Sequence, residues 1–257
     1  MSIDIEINDG IATITINRPD RHNAMDPDHY EELSKAWIRV RDDPEIRCAI
    51  ITGAGDKSFS SGADLKTHIG RTFEPHEFWQ TQRNMLLNRG LEVWKPVIAA
   101  VNGYCLGGGM TLLLATDIRI AAEHATFGVS EVKRGVIPAN GGTQRLLAQL
   151  PHPIAMDMLL RGVSMDAAGA ERWGLVNEVV PMDRLMDTAL HYARAIAQNA
   201  PLAVQAAKEL ALRSRDMDLA SGLRMEQFAN RMLQGTQDVA EGKAAFAEKR
   251  PANFKGC

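Results

Sequence analysis

Three consecutive glycines, Gly107-Gly108-Gly109, constrain this chain more than any other feature. They follow a short apolar run, Val97 to Val101, of strand length and strand composition. Asn102-Gly103 breaks that run. The apolar helical stretch Met110 to Ala115 follows the glycines. Residues without side chains let another group approach the backbone closely. The first amides of a helix lack intrahelical partners and lie at its positive end. Such amides can stabilise an oxygen that becomes negative during a reaction. A second glycine stretch, Ser60-Ser61-Gly62-Ala63-Asp64-Leu65, also follows an apolar strand, Ala49 to Thr52. Two such turns can each offer one amide to a single carbonyl oxygen. Two tight turns that merely pack would leave the same trace, and spacing alone does not separate the two readings.

The rest of the chain supports an α/β fold. Ile3 to Ile7, the turn Asp9-Gly10 and Ile11 to Ile16 read as a hairpin. Asp26 is a good N-cap with Pro27 at the first helical position, and Tyr30, Leu33, Trp37 and Val40 mark the buried face of the helix that follows. Cys48 to Thr52 reads as a buried strand, Thr67 to Pro75 as a polar loop and Glu77 to Trp94 as a helix. Short strands at Ile118–Ala121 and Thr126–Phe127 flank a bend, and Gly141-Gly142 opens a helix over Thr143–Leu150. Helices over Ile154–Arg161 and Ala167–Trp173 and a strand over Val176–Val180 complete this half. Strands alternating with helices imply largely parallel pairing. After Pro181 the pattern changes to four successive helices, giving a division into residues 1–180 and a helical region 181–257. That region is too small for a core of its own and is expected to cover the α/β part or a second copy.

Composition narrows the function. A chain of 257 residues with net charge −3 is a poor match for a nucleic-acid or anionic-membrane surface. Cys48, Cys105 and Cys257 are odd in number and form no CxxC pair, so a reducing compartment without structural disulfides or zinc is expected. No apolar run reaches transmembrane length, and no signal-type segment is seen at residues 1–17. The expectation is a soluble cytoplasmic protein. The glycines fit neither GxGxxG nor GxxxxGK[ST], which excludes a Rossmann or P-loop site. The histidines are scattered and HExxH is absent.

Five motifs together resemble the crotonase (enoyl-CoA hydratase/isomerase) superfamily: RPDRHNAM (18–25), FSSGADL (59–65), IAAVNGYCLGGG (98–109), FGVSEVKRGVIPANGGTQR (127–145) and FAEKRPANF (246–254). They occur in order across essentially the whole chain. The resemblance implies a ββα spiral core with a helical C-terminal trimerisation region, built into a homotrimer or homohexamer. It implies an enzyme acting on an acyl-CoA thioester through an enolate, with no cofactor beyond the CoA of the substrate. The oxyanion donors it implies are the amides of Ala63 and Gly108, each worth roughly 3 kcal/mol in comparable sites. It implies acid–base work for Glu131. Independently, apolar residues bracket Glu131, and desolvation raises a carboxyl pKa toward neutrality; a surface glutamate paired with Lys133 or Arg134 is the plainer alternative from the residues alone. For the thioester itself the resemblance points to His22, Ala24, Ser61, Asp64 and Leu65, and to Phe246 and Lys249 reaching a neighbouring subunit's site. Lys249 and Arg250 also read as a solvated helix end. Asn140 is either a polar group of the acyl pocket or a turn residue before Gly141.

One departure from the family's pattern matters. Typical hydratases carry a second glutamate where this chain has Thr111. Threonine is no base at neutral pH, though its hydroxyl can hold a water. Isomerases and hydroxycinnamoyl-CoA hydratase-lyases of the family also work without that carboxylate. The expected activity is therefore hydratase/isomerase chemistry with Glu131 as acid–base, with a hydratase-lyase or another thioester enzyme as the alternative. An RNA-binding relative is disfavoured because the first helix sets only Lys35, Arg39 and Arg41 against Glu31 and Glu32.

Overall fold

The computed structural model describes residues 2–64, 66 and 85–257. β1 (Ile3–Asn8) and β2 (Ile11–Ile16) form the expected hairpin. Its turn residues Asp9 and Gly10 both have positive φ, 51° and 75°, the handedness that matches strand twist. In α1 (Pro27–Asp42) the Asp26 carboxylate accepts from the amides of Asp28 and His29, and Tyr30, Leu33, Trp37 and Val40 are buried.

The chain then crosses three times between two sheets. β3 (Cys48–Gly53) leads to β4 (Ser58–Ser60), β5 (Val97–Val101) to β6 (Tyr104–Leu106), and β7 (Ile118–Ala122) to β8 (Thr126–Gly128). The first strand of each pair enters a six-stranded sheet, in the order β1-β2-β3-β5-β7 and finally β10 (Glu178–Val180). The second enters a four-stranded sheet, β4-β6-β8 followed by β9 (Ser164–Asp166). Pairing from β2 to β10 is parallel, as is pairing through β4, β6 and β8. Helices fill the remainder: α2 (Gly108–Leu113), α3 (Gly142–Gln149), α4 (His152–Arg161), α5 (Ala167–Arg172), α6 (Leu185–Ala197), α7 (Pro201–Arg213), α8 (Leu219–Leu233) and α9 (Gln237–Glu248).

The large sheet is covered on both faces, so its strands read as unbroken apolar runs rather than alternating ones. Ala49, Ile51, Val97, Ala99 and Val101 point into the core shared with α1 and the small sheet. Cys48, Ile50, Ile98, Ala100 and Ile120 point the other way, onto Leu185, Ala189 and Ala193 of α6. The composition change at residue 180 is thus bridged by α6, which shares a core with the strands before it. Cys48 and Cys105 are buried free thiols, and Cys257 is exposed and free. No helix among the described residues is long and apolar enough to cross a membrane.

The structure corrects two expectations. Three short strands, β4, β6 and β9, were not anticipated; each has only three residues, too few for a periodic pattern to show. The helix expected over Glu77–Trp94 falls partly outside the described residues, as does the loop Thr67–Pro75. Within residues 85–94 there is only a 3-10 turn, Leu87–Arg89, which Gly90 ends with φ 87°.

Helix α2 packs on strand β4 where Gly109 faces Ser60. A Cβ on Gly109 would lie far inside contact distance of the Ser60 carbonyl oxygen, which is backbone and cannot swing away. Gly109→Ala should therefore cost about 3 kcal/mol or more of stability. The check is the urea midpoint, expected to fall with an unchanged slope.

Candidate active site

Three loops meet because three adjacent parallel strands end side by side. β4 aligns with β6 through Ser60 and Cys105, and β6 with β8 through Leu106 and Gly128. The residues that follow are Ser61-Gly62-Ala63, Gly107-Gly108 and Val129-Ser130-Glu131. Ligand sites of α/β sheets gather at such carboxyl ends. The Gly107 amide donates to the Gly128 carbonyl at 2.9 Å, joining the second loop to the third.

The first two loops touch through their backbones. A Cβ on Gly62 would lie 2.5 Å from the Gly108 nitrogen, and one on Gly108 would lie 3.4 Å from the Ala63 nitrogen. Gly62 also has φ 92°, which a side chain resists. Ser60 fixes the turn, its hydroxyl accepting from the Gly62 amide at 3.1 Å and donating to the Asn23 carbonyl at 2.8 Å. The segment before α1 is laced to the same strand. Met25 donates to Gly62, Asp64 to Met25 and Ser61 to His22, at 2.8 to 3.0 Å. The amides of Ala63 and Gly108 themselves have no acceptor among the described residues. Two neighbouring unpaired donors, Gly108 at the start of α2 and Ala63 in the turn after β4, can receive one anionic oxygen.

Glu131 opens a 3-10 turn, Glu131–Arg134. Its Oε1 lies 3.5 Å from the position a Cβ on Gly107 would take. Its Oε2 is buried and has no hydrogen-bond partner. Desolvation pushes the carboxyl pKa above its usual value, against a hydrogen bond from its own backbone and the charge of Arg134. The surface pairing considered from the residues is absent, since Arg134 bonds Ser130 instead.

Thr111 lies one helical turn further on and is 2% exposed. Its hydroxyl donates to the Gly108 carbonyl and accepts from Asn88 Nδ2, both at 3.1 Å. Because the Thr111 hydrogen is used on Gly108, the Asn88 carboxamide must present its nitrogen to Thr111. That leaves Asn88 Oδ1 buried and unpartnered. Asn140 has φ 55° and sits just before α3, its carbonyl accepting from Arg145 at 2.8 Å. The same turn reaches the site, for a Cβ on Gly142 would lie 2.8 Å from Thr111 Cγ2.

The other expected residues divide into two groups. His22, Ala24, Ser61 and Asp64 lie together beside Ala63; His22 is exposed, with its ring edge toward Tyr104, and Asp64 pairs with Arg18 at 3.0 Å. Leu65 lies outside the described residues. Phe246 and Lys249 stand on α9, a different element. Phe246 is 88% exposed beside a groove lined by Leu202, Val239 and Phe254, and Lys249 ends the helix in a left-handed conformation.

Sequence reasoning missed three residues near the glycine turns. Asn88 and Arg89 were placed inside a helix. Tyr30 was read only as a core residue, yet its hydroxyl lies 3.3 Å from the position of a Cβ on Gly108. No motif marks any of them, because their roles depend on contacts across the chain. A cleft of about 810 Å³ elsewhere, lined by Asp117, Arg119 and Lys208, is a joint between elements rather than a reacting site. There Lys208 pairs with Asp117 at 2.7 Å, and Arg119 bonds the carbonyls of Thr116 and Leu175.

Comparison with known proteins agrees with this geometry. The sequence profile of the enoyl-CoA hydratase/isomerase family matches residues 6–257. The chain is 41% identical over 256 residues to (E)-benzylidenesuccinyl-CoA hydratase of Thauera aromatica, covering 100% of both chains. It is 42% identical over 264 residues to carnitinyl-CoA dehydratase of Salmonella arizonae, covering 99% of this chain and 98% of that one. The crystal structure of an enoyl-CoA hydratase from Bacillus anthracis superposes with TM-score 0.93 at 36% identity, covering 100% of both chains. The chain, folded around two glycine turns and a desolvated glutamate, belongs to the enoyl-CoA hydratase/isomerase family of the crotonase superfamily and is an enzyme acting on CoA thioesters.

Proposed function

We propose that the enzyme reversibly hydrates an α,β-unsaturated acyl-CoA, with Glu131 as the only acid–base carboxylate among the described residues. The buried, unpartnered Glu131 Oε2 carries this reading. The thioester oxygen rests on the Ala63 and Gly108 amides. Water bonds through its oxygen to the β-carbon, and its proton passes to Glu131. The π electrons move onto the thioester oxygen, giving an enolate. The enolate re-forms the carbonyl as its α-carbon takes the proton from Glu131, so that H and OH are added in total. Asn88 Oδ1 stands in for a second carboxylate as an acceptor, with Thr111 holding its amide in place. A water donating one hydrogen to Glu131 and one to Asn88 presents a lone pair to the substrate. The hydratase and dehydratase names of two relatives support reversible addition of water to a CoA thioester.

The steps change no oxidation state and the amides of Ala63 and Gly108 take the oxyanion, so the proposal includes no metal or redox cofactor, and turnover should survive EDTA. The pantetheine and nucleotide of CoA are assigned to His22, Ala24, Ser61, Asp64 and Leu65, with Asn140 toward the acyl group. Phe246 and Lys249 are assigned to the site of a neighbouring copy. Leu219, Phe228, Met232 and Phe246 are exposed on α8 and α9, which favours a trimer or hexamer. A stable monomer in light scattering would overturn that assembly.

Glu131→Gln should lower turnover by about 10²–10⁴ while thioester binding persists. The base must be ionised, so the acidic limb of the native rate profile should have a midpoint above the ordinary glutamate value of 4.5 and should be absent from the residual activity of the variant. The sign for stability is opposite. Raising pH through the elevated Glu131 pKa places a charge in a desolvated site, so folding loses stability there. Glu131→Gln should melt no lower than the native chain at neutral pH. Near-normal turnover in that variant would refute the assignment.

Asn88→Leu should reduce hydration by about tenfold or more, the loss of one water-orienting bond. It should spare Glu131-dependent exchange of the α-protons of butyryl-CoA into deuterated water, which needs no added water at the β-carbon. Equal loss of both activities would reduce Asn88 to a structural tether.

A further inference from the structure

Arg89 is a cation beside the glycine turns that no described carboxylate answers. Its guanidinium carbon lies 4.3 Å from the centre of the Tyr30 ring. Its Nε is buried without a hydrogen-bond partner. Among the described ion pairs none involves Arg89. Other buried or half-buried arginines are satisfied. Arg119 donates to the carbonyls of Thr116 and Leu175 and to Gln149, and Arg145 donates to the carbonyl of Asn140. Burial disfavours the charge of Arg89, and the Tyr30 side chain opposes that effect. A desolvated cation without a counter-ion is costly to keep.

Its position is fixed from two sides. The next residue back, Asn88, is bonded to Thr111, and Thr111 is bonded to the Gly108 carbonyl. The Tyr30 ring beneath the guanidinium ends in a hydroxyl 3.3 Å from the Cβ position of Gly108. One tyrosine side chain therefore separates the cation from the amide that receives the thioester oxygen. An acyl group anchored at Gly108 reaches that far within a few bonds.

We propose that Arg89 is the counter-ion for a carboxylate on the acyl group, so that the preferred substrates are CoA monothioesters of unsaturated dicarboxylic acids. This rests on the thioester-hydrating role above and names its substrate class. Guanidinium suits the task, since its planar fork meets a carboxylate with two parallel hydrogen bonds and remains charged when partly buried. Stacking on Tyr30 holds the plane of the fork without using its donors.

Calorimetry with saturated, unreactive thioesters tests this without turnover. Glutaryl-CoA carries the terminal carboxylate, butyryl-CoA lacks it, and the carboxamide of glutaryl-CoA is its neutral counterpart. The native enzyme should prefer glutaryl-CoA over both by about 10²-fold, the expected size for a desolvated charge pair. In Arg89→Leu the preference, read as a ratio of affinities, should fall to near one, and Arg89→Lys should restore part of it. Equal native affinities for the three thioesters would overturn the proposal, a result that stands even if Arg89→Leu does not fold. Equal weakening of all three in Arg89→Leu would also overturn it, assigning Arg89 to the CoA phosphates or to structure. Failure to bind butyryl-CoA and glutaryl-CoA alike would instead refute the thioester role on which the proposal rests.

Discussion

The near-contact of two backbone turns, Ser61-Gly62-Ala63 and Gly107-Gly108, is the interaction on which the site depends. With 2.5 Å between the Gly108 nitrogen and the place of a Gly62 Cβ, no side chain fits between them. That closeness sets the Ala63 and Gly108 amides side by side with no acceptor of their own. Folding has already covered the cost of orienting them, so nothing need reorganise when charge arrives on an oxygen. The glycines do not loosen this region. They let the two turns close onto each other, with Ser60 and Asn23 tying the seam.

The same strand pairing sets Glu131 beside the glycine turns. β4, β6 and β8 run in parallel register, so each hands its following loop to the same edge. Glu131 arrives on the third strand and is desolvated against Gly107. A carboxyl that is hard to ionise is a poor stabiliser of the fold and a good partner for a proton in flight. Stability and function therefore pull against each other at this residue, while the surrounding apolar core holds the strands rigid.

Thr111 changes how the second half of the chemistry is arranged. It is not a free hydroxyl, since it bonds both Gly108 and Asn88. Its effect is to aim a carboxamide, leaving Asn88 Oδ1 as a buried acceptor without a partner, like Glu131 Oε2. Asn88, Arg89 and Tyr30 surround the glycine turns and stand outside the motifs that carry the family resemblance.

The sequence by itself determined the hairpin, the caps, the long strands, the glycine turns and the apolar setting of Glu131. Each is written in local chemistry: a turn that needs positive φ at Asp9-Gly10, a carboxylate at Asp26 that caps amides two and three residues on, and apolar runs long enough to show burial. It also carried the family, because five motifs in one order are specific even where each alone is not. Only the tertiary structure decided the rest. The three-residue strands β4, β6 and β9 exist because neighbours offer hydrogen bonds, not because their own residues prefer strands. Asn88 and Arg89 sit on a 3-10 turn that Gly90 ends, where periodicity had suggested a helix. The unpartnered oxygens of Glu131 and Asn88 and the unanswered charge of Arg89 are properties of what surrounds them. A side chain's missing partner is a fact about space, and no run of residues along one chain records it.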